Sequence, residues 1–408
     1  MKSIFGLILI GTSAIAVEQD FSGVIDVRAI YNDSIQSYVD GGFGKLRFNS
    51  GTHVSISQLG LSHHVDWTDN ISSKIVANGY LDNTNEGLGI TEAFIQYKGL
   101  PSENGYRITA KAGILYPTIT IENHATAWTS PYTLSFSTIN SWLAEEVRHL
   151  GSSLSLSRLG KFHQSKHDVK LTAEAFVNND PTGAMLSWHG WTTGSRQTLW
   201  HETIRIPELL AMRSDGLLSG QAKESDPFLD LDTRVGANFT GEWNWRGNGK
   251  LTVGYYDNNA DTSVVKNGQY SWRTRFHHLG VKWRLPLKID LLAQFLKGDT
   301  LMKALTGKDA VNNDYHSFNI LLSKAWYAHR ISMRFEDFSV TDNDQIWGDN
   351  NNEDGNAFTA SYRYQLQKGL FIHSEFNWVT SERFARTYVN QPEKLIEKQW
   401  QVAMRYYF

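Results

Sequence analysis

Residues able to do acid–base, nucleophilic or metal chemistry occur along the 408-residue chain, but their spacing matches no common catalytic motif. There is no G-x-S-x-G, H-E-x-x-H or G-x-x-x-x-G-K-[ST] pattern. Without cysteine, the chain has no disulfides, thiolate ligands or cysteine nucleophiles. The histidine pairs at 63–64 and 277–278 would point to opposite faces of a strand, so neither pair would share a metal ion. We expect no enzymatic activity, no metal and no cofactor.

Charged side chains instead alternate with apolar ones. In "GVIDVRAIY", Ile25 and Val27 share one face of a strand, and Asp26 and Arg28 share the other. The same rule assigns to the polar, inward face the basic residues Arg28, Lys74, Arg107, Lys111, Lys170, Lys282, Arg284, Arg334, Arg363 and Arg405, together with the acidic residues Asp26, Glu92, Glu174, Glu242, Asp290, Glu336 and Glu375. Bases outnumber acids modestly, and we expect salt-bridged pairs such as Lys170/Glu174 and Arg334/Glu336.

The elements that must position these charges are strands of about 9 to 11 residues, the length that crosses a hydrocarbon layer when tilted. Strands of a soluble sandwich are typically shorter. We predict about sixteen strands, at 21–31, 53–66, 71–82, 89–99, 106–116, 147–159, 169–178, 234–245, 249–258, 273–285, 288–299, 315–326, 330–341, 357–366, 370–381 and 398–408.

The N-terminus predicts export. "MKSIFGLILIGTSAIA" has Lys2, an apolar core and an Ala-x-Ala site, so residues 1–16 are predicted to be a signal peptide cleaved after Ala16. No later apolar run reaches the length of about 18 residues that a transmembrane helix needs. The net charge of −3 argues against a generally basic nucleic-acid binder. A membrane-embedded chain of this kind would cross as strands.

Short polar turns alternate with long loops, the longest at about 117–146 and 179–233. Lipid tolerates no unpaired backbone, so the sheet must close on itself. The predicted fold is therefore all-β: residues 17–408 form a closed antiparallel transmembrane β-barrel with short periplasmic turns and long extracellular loops.

The last strand supports closure. Its alternate residues Trp400, Val402, Met404, Tyr406 and Phe408 are apolar or aromatic, and the chain stops there. This ending resembles the C-terminal signal of bacterial outer-membrane proteins, which the barrel assembly machinery of Gram-negative bacteria reads. An aromatic ring is also favourable at a membrane interface.

The pattern resembles the sixteen-stranded porins. Segments "AGILYPTITIEN" and "TINSWLAEEVRHLG" are similar in arrangement to the phosphate-selective porin family, over about residues 89–160. The resemblance implies that loop 117–146 folds inward and narrows the lumen, with a constriction formed by Glu122, His124, Trp128, Tyr132, Glu145, Glu146 and Arg148. That family's selectivity rests on a lumenal ladder of basic residues. Here acids are interspersed, so strong phosphate selectivity does not follow.

The loop at 179–233 leaves two interpretations open. Trp188, Trp191 and Trp200 are able to stack on sugar rings, or to pack a small extracellular plug in which "IPELLAM" is a short helix. We favour the packing role.

These observations predict an outer-membrane porin for passive diffusion of small hydrophilic solutes through a water-filled lumen, with weak anion preference at most. Expected partners are outer-membrane lipid and lipopolysaccharide, the assembly machinery and the solutes, without nucleic acid; a homotrimer is one assembly to test. The alternatives are a receptor or adhesin with a plugged lumen, and a barrel hydrolase acting on lipid or glycan.

Overall fold

The computed structural model describes residues 18–81 and 87–408 of the chain. The predicted signal peptide, residues 1–16, lies outside the described residues. Within them, no helix is long and apolar enough to cross a membrane.

Sixteen strands form one closed barrel. They are β1 Glu18–Asp33, β2 Gly51–Asp66, β3 Ile71–Gly79, β4 Leu88–Lys98, β5 Tyr106–Leu115, β6 His149–Arg158, β7 His167–Val177, β8 Gly236–Trp245, β9 Gly249–Asp257, β10 Trp272–Leu285, β11 Ile289–Lys303, β12 Asp309–Trp326, β13 His329–Asp342, β14 Glu353–Gln367, β15 Leu370–Arg383 and β16 Lys394–Tyr407. Each strand pairs antiparallel with its neighbours, and β1 pairs with β16 from Val24↔Tyr407 to Asp33↔Lys398. The predicted fold class is confirmed.

The barrel has a turn end and a loop end. Glu18, the first described residue, Phe408 and the short connections, such as 246–248 and 368–369, lie at the turn end. The loop end carries the long connections 34–50, 116–148, 178–235 and 258–271. Successive connections alternate between the two ends because neighbouring strands are antiparallel. The even number of strands brings the last strand back to the end at which the first begins.

The outer surface is apolar because alternate residues of every strand face away from the lumen. On β16, Trp400, Val402, Met404 and Tyr406 all face outward and are exposed. Phe408 closes the seam: its carbonyl accepts a hydrogen bond from Gly23 N at 3.1 Å. A Cβ at Gly23 would lie 2.3 Å from the Phe408 ring, so only glycine leaves room for that ring.

The wall is uneven in height. Strands β3 to β9 have 9 to 11 residues, whereas β10 to β16 have 14 to 18. The predicted loops at 300–314, 342–356 and 382–397 are therefore too long, since the structure leaves only 304–308, 343–352 and 384–393 outside the strands. On this tall side the outer face turns charged, as at Asp299 and Asp337, so the apolar alternation that marks a strand is lost there.

Helices are few and short. α1 (Thr138–Glu145) and α2 (Ala184–Trp188) lie in the two longest loops. Ser137 precedes α1 and caps it, because its side chain accepts a hydrogen bond from Asn140 N. Single 3-10 turns lie at Tyr38–Asp40, Thr126–Trp128, Gly160–His163, Leu210–Met212, Pro286–Lys288 and Phe384–Val389. The segment "IPELLAM", predicted to be a short helix, contains the 3-10 turn at Leu210–Met212.

Candidate functional site: the barrel interior

Three loops enter the barrel from the loop end and pack against its inner wall. We call the segments 34–50, 116–148 and 178–235 the plug. One buried hydrophobic core joins plug residues, including Leu46, Trp142 and Trp191, to inward-facing residues of the wall. The wall residues are Phe176, Tyr256, Phe276, Leu296, Tyr315, Phe338, Val340, Ala357 and Val379. The interior at the loop end is thus packed like a protein core.

Trp142 of α1 is the centre of this core. Its ring makes edge-on contacts with Trp191, Phe276 and Tyr315, with centroids 5.3 to 5.9 Å apart. Its indole nitrogen donates to Glu146 Oε2 at 2.7 Å. A buried tryptophan needs such a partner, and the sequence supplies it one helical turn later.

Arg334 of β13 fastens the inner loop to the wall. Its guanidinium lies 2.7 Å from Glu122 Oε1 of the plug and 2.7 Å from Glu336 Oε1 of its own strand. It also donates to the backbone carbonyls of Ser135 and Phe136. All three charged side chains are buried, so the predicted Arg334/Glu336 pair is present as part of a larger group.

Wall carboxylates bind backbone amides of the same loop. Glu375 accepts from Leu134 N at 2.6 Å and from Ser135 N at 2.9 Å. Glu336 accepts from Thr138 N, the first residue of α1, at 2.6 Å. A carboxylate beside the first turn of a helix is favourable, so these contacts fix the position of α1.

Glu145 and Glu146 join the inner loop to the longest one. Glu145 Oε1 lies 3.0 Å from His189 Nε2. Glu146 accepts from Trp142 and from the backbone of α2, including Met185 N at 3.0 Å. Burial, and after it the neighbouring Glu145 carboxylate, raise the pKa of the Glu146 carboxyl to about 7.

A second buried charge group lies at the loop end. Lys45 forms an ion pair with Glu353, and Arg383 Nη1 lies 3.6 Å from the same carboxylate. Lys45 Nζ also donates to the carbonyl of His189 at 2.7 Å. Burial lowers the pKa of Lys45 to about 7 and raises that of nearby Asp349 to about 7. The strand alternation did not predict this group, because Glu353 was assigned to a loop and Lys45 lies in one, and alternation assigns a face only to residues within strands.

At the closing seam, Asp26 binds two arginines predicted to face the lumen. Arg28 Nη2 lies 2.8 Å and Arg405 Nη2 2.6 Å from Asp26 Oδ2. Arg405 also donates to Ser130 O of the plug at 3.2 Å. The three side chains face inward, as alternation predicts, but they are buried.

At the turn end, the interior is open to solvent. We call this part of it the vestibule. The remaining predicted basic residues are partly exposed there: Lys74, Arg107, Lys111, Lys170, Lys282, Arg284 and Arg363. Lys74 pairs with Glu92 at 3.1 Å and Arg284 with Asp290 at 2.8 Å. Lys170 pairs with Glu242 on the adjacent strand at 3.1 Å. The predicted Lys170/Glu174 pair is wrong, since Glu174 binds Asn238 and Thr118.

The residues predicted at the constriction lie in two environments. Glu122, Tyr132, Glu145, Glu146 and Arg148 are buried within the plug. His124 is exposed and Trp128 is partly exposed, facing the vestibule side. Trp128 stacks on Tyr116 with centroids 5.0 Å apart, and Arg148 donates to the Tyr116 hydroxyl at 2.6 Å. Their role as a constriction stays a prediction.

The tryptophans of the longest loop pack within the protein. Trp188 and Trp191 are fully buried. Trp188 contacts Trp272 edge-on at 4.9 Å, and Trp200 stacks on Phe228 at 5.1 Å. These contacts agree with the packing role that the sequence favoured over sugar stacking.

Three carboxylates at the loop end lie close enough to hold a cation. Asp180, Asp230 and Asp232 each place one oxygen within 4.8 Å of the others. Asp180 Oδ2, however, already accepts from Leu231 N at 2.5 Å and Asp232 N at 3.2 Å. These hydrogen bonds account for the cluster as a loop turn, and the expectation of no metal stays a prediction.

No protein-family model matches the chain, and no curated protein matches its sequence. Solved structures match its whole length. The anion-selective porin of Comamonas acidovorans aligns with a TM-score of 0.54 at 12% identity, covering 96% of this chain and 100% of that one. The outer-membrane channel DcaP of Acinetobacter baumannii gives 0.55 at 9%, covering 97% and 99%. OmpF of Salmonella typhi, in complex with daunomycin, gives 0.52 at 11%, covering 96% and 97%. The chain therefore has the fold of the sixteen-stranded outer-membrane porins.

Proposed function

We propose that the chain is an outer-membrane porin that passes small hydrophilic solutes by diffusion, with a lumen that the plug closes at the loop end. The observation that carries this proposal is the contrast within one closed barrel: an apolar outer face around a polar interior that is open at the turn end. A barrel with this distribution of side chains is suited to hydrocarbon on its outer face and water in its interior.

The plug is compatible with a pore because it is built from loops. In the described residues it is fastened to the wall by hydrogen bonds, ion pairs and packing, as at Arg334 and Glu375. Such contacts can be released without breaking the backbone pairing of the wall. A conducting state would then expose Glu122, Glu145, Glu146 and Arg148 to the lumen, which is the constriction that the sequence predicts.

The vestibule supports a weak anion preference. Lys74, Lys170 and Arg284 each have a carboxylate partner, whereas Arg107 and Lys111 form no ion pair within the described chain. Unpaired lumenal cations attract anions and repel cations. The preference is weak because acidic residues on the same inner surface, such as Glu92, Glu174 and Glu242, offset much of this positive charge.

The remaining parts of the proposal concern location and assembly. We infer export through the 1–16 signal peptide, insertion by the assembly machinery that reads Trp400 to Phe408, and contact with outer-membrane lipid and lipopolysaccharide. In that orientation the turn end is periplasmic and the loop end extracellular. A homotrimer is tested by chemical crosslinking of the protein in native membranes.

Planar-bilayer recording of the purified protein tests the pore. Stepwise ohmic conductance is expected, with long closed periods set by the plug. A bilayer that stays silent, while a heat-dependent shift on a detergent gel shows an intact barrel, contradicts the proposal.

The buried interior at the loop end favours one second candidate: a receptor whose lumen stays plugged and whose loops bind an external ligand. This candidate predicts no conductance even when contacts of the plug are weakened by substitution. A hydrolase has weaker support. Ser361 Oγ lies within hydrogen-bond distance of His373 Nε2, and Ser339 Oγ lies 2.9 Å from His316 Nδ1. However, Nδ1 of His373 has no hydrogen-bond partner in the described structure, and Nε2 of His316 lies 3.9 Å from Asp337, so neither histidine is oriented by a hydrogen-bonded third group.

A further inference from the structure

The inner wall of the vestibule contains a polar cavity of about 290 Å³ on strands β4 to β7. Its floor is a row of serines on β6, Ser153, Ser155 and Ser157, at three successive inward positions. Serine side chains are short, so they leave a depression between the longer residues of β5 and β7. The cavity opens toward the vestibule, where solute would reach it.

Strand register arranges the cavity as a grid. Arg107, Thr109 and Lys111 of β5 lie directly opposite Ser157, Ser155 and Ser153. On the other side the same serines lie opposite Lys170, Thr172 and Glu174 of β7. Hydroxyls therefore occupy the centre, and cations occupy three of the four corners. With about 4.8 Å between strands and about 6.7 Å between alternate residues, neighbouring positions of the grid are separated by about the width of one sugar ring.

Two of the corner cations lack a carboxylate partner. Arg107 Nε is buried without a hydrogen-bond partner in the described structure. Lys111 forms no salt bridge among the described residues, and its nitrogen lies 4.4 Å from the centroid of the Phe94 ring. A buried, unpaired donor is costly, and a bound oxyanion would satisfy it.

The centre of the grid is suited to hydroxyl groups. Ser155 Oγ lies 2.9 Å from Thr172 Oγ1, and hydroxyls both donate and accept. Glu174 and Glu92 also line the cavity and are able to accept from ligand hydroxyls. The two carboxylates would repel a ligand of high negative charge, so the grid suits one oxyanion carried on a hydroxylated skeleton.

We propose that this grid binds a small polyhydroxylated anion, a sugar acid or a sugar phosphate, as the solute that the pore carries. The inference rests on the proposed pore, because it assigns that pore a solute class. Arg107 and Lys111 hold the oxyanion, and the serine row together with Thr109 and Thr172 binds the hydroxyls.

Calorimetric titration of the folded barrel in detergent tests the site. The probes are D-glucuronate, D-glucose 6-phosphate, D-glucose, acetate and inorganic phosphate. Glucuronate, glucose 6-phosphate or both should bind at least about tenfold more tightly than glucose and than the two simple anions, because only these two probes offer both an oxyanion to the cations and hydroxyls to the serine row. Which of the two sugar anions binds identifies the carboxylate or the phosphate as the preferred group.

Substitutions locate the binding. Lys111→Gln and Arg107→Gln should each weaken it about tenfold, and Ser155→Val should remove the preference for sugar anions over acetate. Lys297→Gln, which removes the same charge from the outer face of β11, should leave binding unchanged. Each variant must keep its heat-dependent gel shift.

The outcomes separate this inference from the pore itself. Equal binding of acetate or inorganic phosphate would show a simple anion site and overturn the inference, as would no binding at all. Conductance without binding of any probe would contradict the inference but leave the proposed pore supported. Binding by a barrel that shows no conductance would contradict the proposed pore, and with it the role of the ligand as a transported solute, and would leave only a ligand-binding site.

Discussion

The two ends of the barrel interior use the same residue types in different ways. Where the plug covers the wall, toward the loop end, Arg334, Glu336 and Arg383 are fully buried and have partners from both the wall and the plug. At the turn end, Lys170 and Arg284 are partly exposed to water, and their partners lie on neighbouring strands. Breaking a buried pair costs about 3–5 kcal/mol, whereas an exposed pair contributes about 0–1 kcal/mol. Burial therefore separates the charges that hold the plug from the charges that solutes meet.

The largest effect on this contrast should come from Trp142→Ala. Truncating a buried tryptophan costs about 3–5 kcal/mol, and here the loss falls on the plug, because the barrel strands keep their backbone pairing. We expect a higher open probability and a larger conductance in planar bilayers.

The matched control is Trp378→Ala on the outer face, where the side chain is 45% exposed. It should leave the conductance unchanged. If Trp142→Ala keeps its fold and conducts no more than the parent protein, the plug does not close the pore through this core.

Arg334→Met should have the next largest effect. It leaves Glu122 and Glu336 buried without their cation, which destabilises the attachment of the 116–148 loop. Hydrogen–deuterium exchange should rise at the amides of Leu134 to Thr138. Arg330→Met, at the turn end and 3.7 Å from Asp290, should raise exchange in that loop far less. Equal exchange in both variants would remove the distinction between the two ends.

The short wall was predictable from sequence, and the tall wall was not. On β3 to β9 the outward residues are apolar and the inward ones polar, as on β7, where Leu171 faces outward and Lys170 inward. Beyond the membrane band of β11 to β13 this polarity reverses. There Asp299 and Asp337 face outward, while Met302 and Phe338 face the plug. A rule that expects apolar residues outside therefore ends β11 too early, at 299, and begins β12 too late, at 315, although it places the end of β13 within one residue.

The plug shows a second limit of the sequence. Alternation assigns Arg28, Arg334 and Arg405 to the inward face, and the structure agrees. Alternation carries no information on whether water or a loop covers that face. The attachments of the plug join residues far apart in the chain, such as Lys45 with Glu353 and Glu122 with Arg334. A single sequence shows neither pair, whereas the rich content of tryptophan in loop 178–235 was a usable sign of packing.

A pH change should loosen the plug without any substitution. Burial raises the pKa of Glu146 from 4.5 to about 7, so the packed plug binds a proton that the released loop would give up. The plug is therefore most stable at or below pH 4.5 and loses stability as the pH rises to about 7. Asp349, whose pKa is also raised to about 7, acts in the same direction. The pKa of Lys45 is lowered from 10.5 to about 7, so its loss of a proton changes the stability of the plug only above about pH 7.

Open probability should therefore be higher at pH 7 than at pH 5. Glu146→Gln imitates the protonated carboxyl and should reduce the dependence, keeping the pore closed at both values. Glu103→Gln, in a turn at the other end, should respond to pH as the parent protein does. A stronger closure at pH 7 than at pH 5 would contradict the assignment of Glu146.

The smallest expected effect is that of Lys170→Gln in the vestibule. Glu242 keeps Lys250 as a partner after the substitution, so no carboxylate is left unpaired. Stability should change by about 1 kcal/mol or less, while the loss of one lumenal cation should shift the reversal potential in a salt gradient slightly toward cation preference. Glu242→Gln should shift it the opposite way. A loss of stability as large as that of Arg334→Met would contradict the comparison. It would show that ion pairs exposed to water at the turn end stabilise the fold as much as the buried pairs do.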